Sequence, residues 1–163
     1  MANENSFLKC VRKSFSFLEN EFSYTSRENL YGTEPWTDGI IEYHSANTKV
    51  LVGKDRNSFF VLLGPSGEPE IATQSLSTIV ASLSAMKEEN FPILVAPAQY
   101  EETIEFYAKT LQQYCLPFIK GDFSLWTKIL KYHLNWMKYR YGKKLPPETY
   151  SKLEDYITLK ENL

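Results

Sequence analysis

His133 and Arg140 are the side chains whose types and spacing best suit chemistry, because both fall on one predicted helix, seven residues apart. A histidine titrates near neutral pH, and an arginine binds phosphate or carboxylate. Both fall near the middle of an apolar helix face that we expect to be core, which also contains Trp126, Ile129, Leu130, Trp136, Met137 and Tyr141. A polar group in a core needs a hydrogen-bond partner, and a charge needs a counter-ion. Our first interpretation is therefore a buried polar tie, and the alternative is a pocket for acid–base or phosphate chemistry.

No other part of the sequence matches a known catalytic or cofactor motif. Residues 64–68 have Glu68 at the position where a Gly-x-Ser-x-Gly nucleophile elbow has its second glycine, and no phosphate-binding loop or dinucleotide fingerprint is present. The two histidines, His44 and His133, do not have the spacing of a helical metal site. We therefore predict no catalytic residue, no metal and no cofactor. A non-enzymatic protein is favoured over an enzyme of unrecognised class with a pocket around His133 and Arg140.

The helix predicted at residues 123–142 carries a basic face on an otherwise acidic chain. Residues 123–147 contain six Lys or Arg and no Asp or Glu, whereas the 122 residues before them sum to −6. Lysines and tyrosines interleave on the outer face of this helix: Lys128, Lys131, Tyr132, Lys138 and Tyr139. Our first interpretation is that the basic face neutralises the body it packs against, and the alternative is that it binds an acidic partner.

The same interleaving also suits nucleic acid, since ammonium groups pair with phosphates and aromatic rings stack on unpaired bases. Three lysines on one helix are few for tight binding, and the sequence pI of about 5.8 argues against it. A weak nucleic-acid binder, acting through the basic face between Lys128 and Lys138, is therefore our second alternative, and nucleic acid is disfavoured as a partner.

A loop provides a second candidate contact surface. Residues 29–39 contain two glycines and a proline, which predicts a loop, and the aromatic rings in it have no periodic role. Such rings could anchor an interface with a protein partner, or they could cover the edge of the sheet. The predicted partner-binding residues are therefore Tyr31, Trp36, Asp38, Lys131, Lys138 and Tyr139.

The spacing of apolar residues predicts a first helix at residues 5–22 and four later ones at 73–87, 99–115, 123–142 and 148–160. Three segments between them favour strands, 40–44, 48–52 and 58–63, and a short fourth strand is predicted at 68–71. The short connections allow only antiparallel neighbours. The predicted fold class is α+β: an N-terminal helix, a three- to four-stranded antiparallel meander, then three to four helices packed on the sheet.

The composition predicts a single α+β domain over residues 1–163, with 43% hydrophobic residues to build a core. Cys10 and Cys115 belong to no Cys-x-x-Cys pair, which favours reduced thiols in the cytoplasm over a disulfide. The sequence shows neither a signal-peptide pattern at its start nor a long apolar run, so we expect no membrane contact. Edge strands of a small sheet could pair between chains, which leaves monomer and homodimer open.

Residues 116–126 combine a Leu-Pro pair and a Gly-Asp-Phe run between two predicted helices. With the opening at residues 17–22 and the order helix, meander, helices, this stretch resembles small bacterial proteins of unassigned function. Some of these sit beside toxin genes and look like immunity proteins. Gly121 allows a tight corner there, and Asp122 can cap the following helix. The resemblance implies an immunity- or regulator-like binding protein and supplies no catalytic residues.

Overall fold

The computed structural model describes residues 6–29, 39–56, 58–83, 86–92 and 96–163. The strands in these residues are β1 (Thr25–Asn29), β2 (Gly39–His44), β3 (Thr48–Asp55), β4 (Ser58–Pro65) and β5 (Gln74–Ser75). The α-helices are α1 (Ser6–Ser14), α2 (Ser16–Phe22), α3 (Leu76–Ser82), α4 (Tyr100–Tyr114), α5 (Leu116–Ile119), α6 (Trp126–Tyr141) and α7 (Pro147–Glu161). Short 3₁₀ turns cover Glu70–Ala72, Glu88–Asn90, Pro97–Gln99 and Gly142–Lys144. In these ranges, no helix has the length and the apolar character that a membrane crossing requires.

The strands form one antiparallel sheet in which neighbours in space are neighbours in sequence, so the predicted α+β class and meander are confirmed. The predicted count of three to four strands is too low because β1 was not recognised. Its sequence, Thr-Ser-Arg-Glu-Asn, has no apolar alternation and suits an exposed sheet edge. The fourth strand predicted at residues 68–71 is wrong in position. Glu70–Ala72 form a 3₁₀ turn there, and the short β5 pairs with β4 further on.

One face of the sheet is buried under the helices. Side chains at alternate positions of the three longest strands point into this face: Ile41, Tyr43, Val50, Val52, Phe59, Val61 and Leu63. Helix α1 contacts β2 and α4, while α3 contacts β4 and α6. The core therefore lies between this sheet face and the helices, and α6 reaches it beside α3.

The first predicted helix, residues 5–22, is divided into α1 and α2 at Phe15. Phe15 leaves helical geometry, with φ −98° and ψ 8°, although its amide still donates to the carbonyl of Val11 at 2.9 Å. Its ring is fully buried and stacks on the rings of Phe17 and Tyr43. The stabilisation from packing this ring in the core outweighs the cost of interrupting the helix. The spacing of apolar residues along the sequence does not reveal this interruption.

A tight corner between α5 and α6 packs against the connection between β2 and β3. Gly121 has φ +87°, a conformation that side chains disfavour. The Cβ that it lacks would lie 2.9 Å from the side chain of Asn47. Asp122 does not cap α6 as predicted. It accepts a hydrogen bond at 3.0 Å from the amide of Ser124, which lies before the helix begins.

Trp126 anchors the start of α6 in the core. Its Nε1–H donates to the carbonyl oxygen of Ala72 at 2.8 Å, and its side chain is almost fully buried. The ring packs edge-on against Phe118 and Phe123, with centroid distances of 5.2 and 5.1 Å. One side chain therefore joins α6 both to the turn before β5 and to the corner at Gly121.

Helix α7 packs against α6 and is tied to the turn after β4. Leu153 and Ile157 are buried on its inner face. On the same helix, Lys160 Nζ lies 2.5 Å from Glu68 Oε1, and the Tyr156 hydroxyl donates to Glu68 Oε2 at 2.9 Å. The hydrogen bond from Lys160 is the main reason that the pKa of the Glu68 carboxyl lies below its usual value.

Candidate functional site

An open groove, here called the α6 groove, lies between α6 and the residues that follow α3. It has a volume of about 1280 Å³ and opens to solvent. Its described lining residues come from these two sides and from the end of α3: Ala81, Met86, Lys87, Glu88, Glu89, Asn90, Tyr132, Trp136, Tyr139 and Arg140. Aromatic rings thus share the groove with charges of both signs, a composition typical of surfaces that bind proteins.

Three aromatic residues of α6 form one wall of the groove. Tyr132, Trp136 and Tyr139 follow each other at spacings of four and three residues, which places them on one stripe of the helix. Tyr139 is 91% exposed, whereas Trp136 is half-buried. The exposed ring of Tyr139 therefore has almost its whole area free for a contact.

The buried face of α6 differs from the predicted one. Its buried residues are Trp126, Ile129, Leu130 and Leu134, all in the first part of the helix. Trp136 and Tyr141, which were predicted to be core, are half-buried and exposed, and Met137 is half-buried. The correction has a physical reason: the core covers α6 only as far as Leu134, and no later residue of this helix is buried.

Arg140 lies in the groove wall and is exposed, which corrects the expectation of a buried position with a counter-ion. Among the described residues, its guanidinium has neither a hydrogen bond nor an ion pair. An unpaired guanidinium beside aromatic rings can bind a carboxylate through two parallel hydrogen bonds. Arg140 is therefore available to a partner.

His133 is half-buried next to the groove and does not line it. Its ring lies parallel to the ring of Trp136, with a centroid distance of 6.3 Å and an interplanar angle of 13°. The Nδ1 atom is buried without a hydrogen-bond partner, so the expected acidic or carbonyl partner is not found among the described residues. Burial lowers the pKa of this imidazole and favours its neutral form. The structure therefore does not bring His133 and Arg140 together as a catalytic pair.

The buried position of His133 predicts a pH dependence of stability. Because burial lowers its pKa in the folded state, the unfolded chain binds more protons between that lowered value and the ordinary value of 6.5. The free energy of unfolding should therefore fall as the pH drops below about 6.5. Urea unfolding of the protein and of His133→Gln, at half-unit steps from pH 8 to 5, measures this contribution. The free energy of unfolding of wild type relative to that of His133→Gln should be constant above pH 7 and should fall below it, and a difference that does not change with pH would contradict a depressed pKa.

Lys131 and Lys138, two of the predicted partner-binding residues, form ion pairs with α7. Lys131 pairs with Glu161, and Lys138 pairs with Glu154. Lys128 is exposed on the same helix. Two of the three lysines of the basic face thus interact with acids of the neighbouring helix. This geometry fits the interpretation that the face neutralises its own molecule, and it leaves fewer cations for phosphate contacts.

The opposite wall of the groove consists of residues 86–90. The Nζ atom of Lys87 lies 3.9 Å from Oε1 of Glu89, so these two charges partly neutralise each other. Glu88 is half-buried, and its carboxylate forms no ion pair with the described residues. Burial raises the pKa of Tyr132 on the facing wall, and the negative charge of Glu88 adds to this shift. The groove therefore carries one unpaired carboxylate on this wall, across from the unpaired Arg140.

The described residues do not assemble a metal centre. They contain no group of three or more His, Cys, Asp or Glu side chains that could hold a metal ion. Burial raises the pKa of the Cys115 thiol to about 12, so the reactive thiolate is not formed near neutral pH. The loop residues Tyr31, Trp36 and Asp38 lie outside the described residues.

Comparisons with known protein families, with curated proteins and with solved structures gave no match. Function is therefore inferred from the α6 groove itself. The sequence predicts Tyr139 and Arg140 as candidate site residues, but it gives no sign of the wall formed by residues 86–90, and its periodicity places Trp136 in the core. The available signal was the stripe of Tyr132, Trp136 and Tyr139, because aromatic rings at these spacings share one side of a helix.

Proposed function

We propose that this protein is a non-enzymatic cytoplasmic binding protein, of the immunity or regulatory type, that acts through protein–protein contact at the α6 groove. The observation that carries the proposal is the gathering of Tyr132, Trp136, Tyr139 and Arg140 on one open surface. Trp, Tyr and Arg are the residue types that most often supply the binding energy of protein interfaces. The free thiols of Cys10 and Cys115 suit a reducing compartment.

The proposal places binding energy in Tyr139 and Trp136. Tyr139→Ala removes a ring that is 91% exposed, so it should leave the fold intact. If this ring is an interface anchor, its loss should weaken partner binding by roughly thirtyfold, the effect of about 2 kcal/mol. Trp136→Ala should have a similar effect on binding, with a small loss of stability because its stack on His133 is removed.

Quantitative affinity purification from the source organism tests this prediction. Tagged wild-type protein should retain one specific protein in an amount nearly equal to its own. The Tyr139→Ala and Trp136→Ala variants should each lose this protein. Leu159→Ala is the matched control, because Leu159 is 59% exposed on α7 and does not line the groove. Equal recovery of the same proteins by all four forms would refute the assignment of the groove. The product of a toxin gene among the retained proteins would support the immunity type.

The enzyme alternative has one specific observation in its favour. Arg140 opens onto a groove that also contains Glu88 and Glu89, so a cation and carboxylates face the same space. The described residues that line the groove include no Ser, Thr, Cys or His that could serve Arg140 as a nucleophile or a base. We therefore rank an enzyme second. Turnover of a small-molecule panel that is abolished by Arg140→Gln and retained by Tyr139→Ala would reverse this ranking.

A further inference from the structure

The α6 groove presents its unpaired charges in a self-complementary way. One wall carries the exposed guanidinium of Arg140, and the facing wall carries the carboxylate of Glu88. No ion pair joins these two groups within the molecule, and the described residues supply no other partner to either. The remaining charges of the groove, Lys87 and Glu89, already lie 3.9 Å from each other. One positive and one negative group are thus left open on opposite sides of the same surface.

Such an arrangement fits a second copy of the same surface. In an interface with two-fold symmetry, a contact from residue i to residue j is repeated from j to i. Two grooves that face each other across a two-fold axis can therefore pair each Arg140 with the other copy's Glu88, forming the same contact twice. A partner with a single sign of charge would satisfy one group and repel the other.

The aromatic stripe supplies the apolar part of this interface. Tyr139 is 91% exposed and lies next to Arg140, with Trp136 one turn away on the same wall. Resting against the other copy's groove, these rings would lose contact with water and would surround the charge pairs with apolar area. The desolvated surroundings would strengthen the attraction between guanidinium and carboxylate.

We propose that the α6 groove binds a second copy of this chain in a two-fold symmetric dimer, with Arg140 of each copy paired to Glu88 of the other. This inference rests on the proposed function, since it names the occupant of the same contact surface when no other protein is bound. The groove and the exposed half of α6 form a small interface by the standards of stable dimers, so dissociation in the micromolar range is expected.

Charge exchange tests the pairing directly. Sedimentation velocity of the full-length protein, from about 1 to 300 μM, should show a monomer–dimer equilibrium in this range. Arg140→Glu should raise the dissociation constant by about tenfold or more, because it places like charges together at two symmetric points. Glu88→Arg should do the same. The double variant Arg140→Glu/Glu88→Arg should restore dimerisation to within about threefold of wild type, since the exchanged charges again attract.

Lys128→Glu is the matched control for the change in charge. Lys128 lies on the same helix, is exposed and does not line the groove, so this variant should dimerise as wild type does. Far-UV circular dichroism checks that every variant keeps its fold. A monomer throughout the concentration range, or an Arg140→Glu dimer as tight as wild type, would overturn the proposal. So would a double variant that is weaker than either single variant.

The outcome for the dimer can be separated from the outcome for partner binding. Suppose that the wild-type protein is strictly monomeric and that Tyr139→Ala still abolishes the capture of a specific protein. This result would overturn self-association and would leave the proposed function of the α6 groove supported. A dimer that is broken by Arg140→Glu and restored by the double variant would support self-association whether or not any other protein is captured.

Discussion

Trp126→Ala should lower the free energy of unfolding by about 3–5 kcal/mol, which is a large part of the stability of a domain of this size. The indole is 4% exposed and donates a hydrogen bond of 2.8 Å to the carbonyl of Ala72. Its removal leaves a cavity between Phe118 and Phe123 and deprives a buried carbonyl of its donor. Urea unfolding followed by far-UV circular dichroism measures the loss without relying on tryptophan fluorescence.

Trp136→Ala is the matched control on the same helix. Its ring is half-buried beside the rings of His133 and Tyr141, so the loss of these contacts and of the smaller buried area should be about 1–2 kcal/mol. Partner binding should be weakened more by Trp136→Ala than by Trp126→Ala, because only Trp136 lines the α6 groove. Equal losses of stability for the two variants would contradict the division of α6 into a buried first half and an exposed second half.

Gly121→Ala should destabilise the protein by about 2–4 kcal/mol, because two effects combine at the corner before α6. The backbone has φ +87°, and the new Cβ would lie 2.9 Å from the side chain of Asn47. Gly67→Ala isolates the first effect, since Gly67 has φ +77° and no atom within 4 Å of the added Cβ. That control should cost about 1–2 kcal/mol.

A double-mutant cycle separates the steric effect from the backbone effect. If the added methyl group clashes with the side chain of Asn47, then Asn47→Gly should cost less in the Gly121→Ala protein than in wild type. Urea unfolding of the four proteins gives the coupling energy. Equal costs in both backgrounds would show that the methyl group is accommodated and that the loss comes from the backbone alone.

Most of the fold was predictable from the sequence because its main elements carry local signals. The β-branched and apolar residues of β2 to β4 and the short connections between them predict an antiparallel meander, and each of the five predicted helical segments contains a helix, although the first is divided at Phe15. The elements that were missed or misplaced have no such signal. The strand β1 is a polar edge strand, and β5 contains only two residues. The break at Phe15 depends in part on the ring of Tyr43, which lies on β2 and far along the chain.

The candidate site was only partly predictable for a different reason. Periodicity shows which residues share a helix face, but it does not show how far along the helix the rest of the molecule extends. His133 and Arg140 fall on the same predicted face, yet His133 is half-buried and Arg140 is exposed, because the core covers α6 only as far as Leu134. The wall at residues 86–90 includes the last two residues of the helix predicted at 73–87, but α3 ends at Ser82, and only the three-dimensional structure brings the wall opposite Tyr132.

Helix α7 neutralises part of the positive charge of α6 through two ion pairs and also covers its apolar side. A proteolytic nick or a truncation that removes α7 would unmask Lys131 and Lys138 and would uncover the surfaces that Leu153 and Ile157 occupy. Such a fragment should adsorb polyanions and self-associate indiscriminately, with properties that the intact chain does not have. Binding sites of this protein should therefore be mapped by point substitutions, because deletion of α7 would expose a basic and apolar surface of α6 that the intact protein does not present.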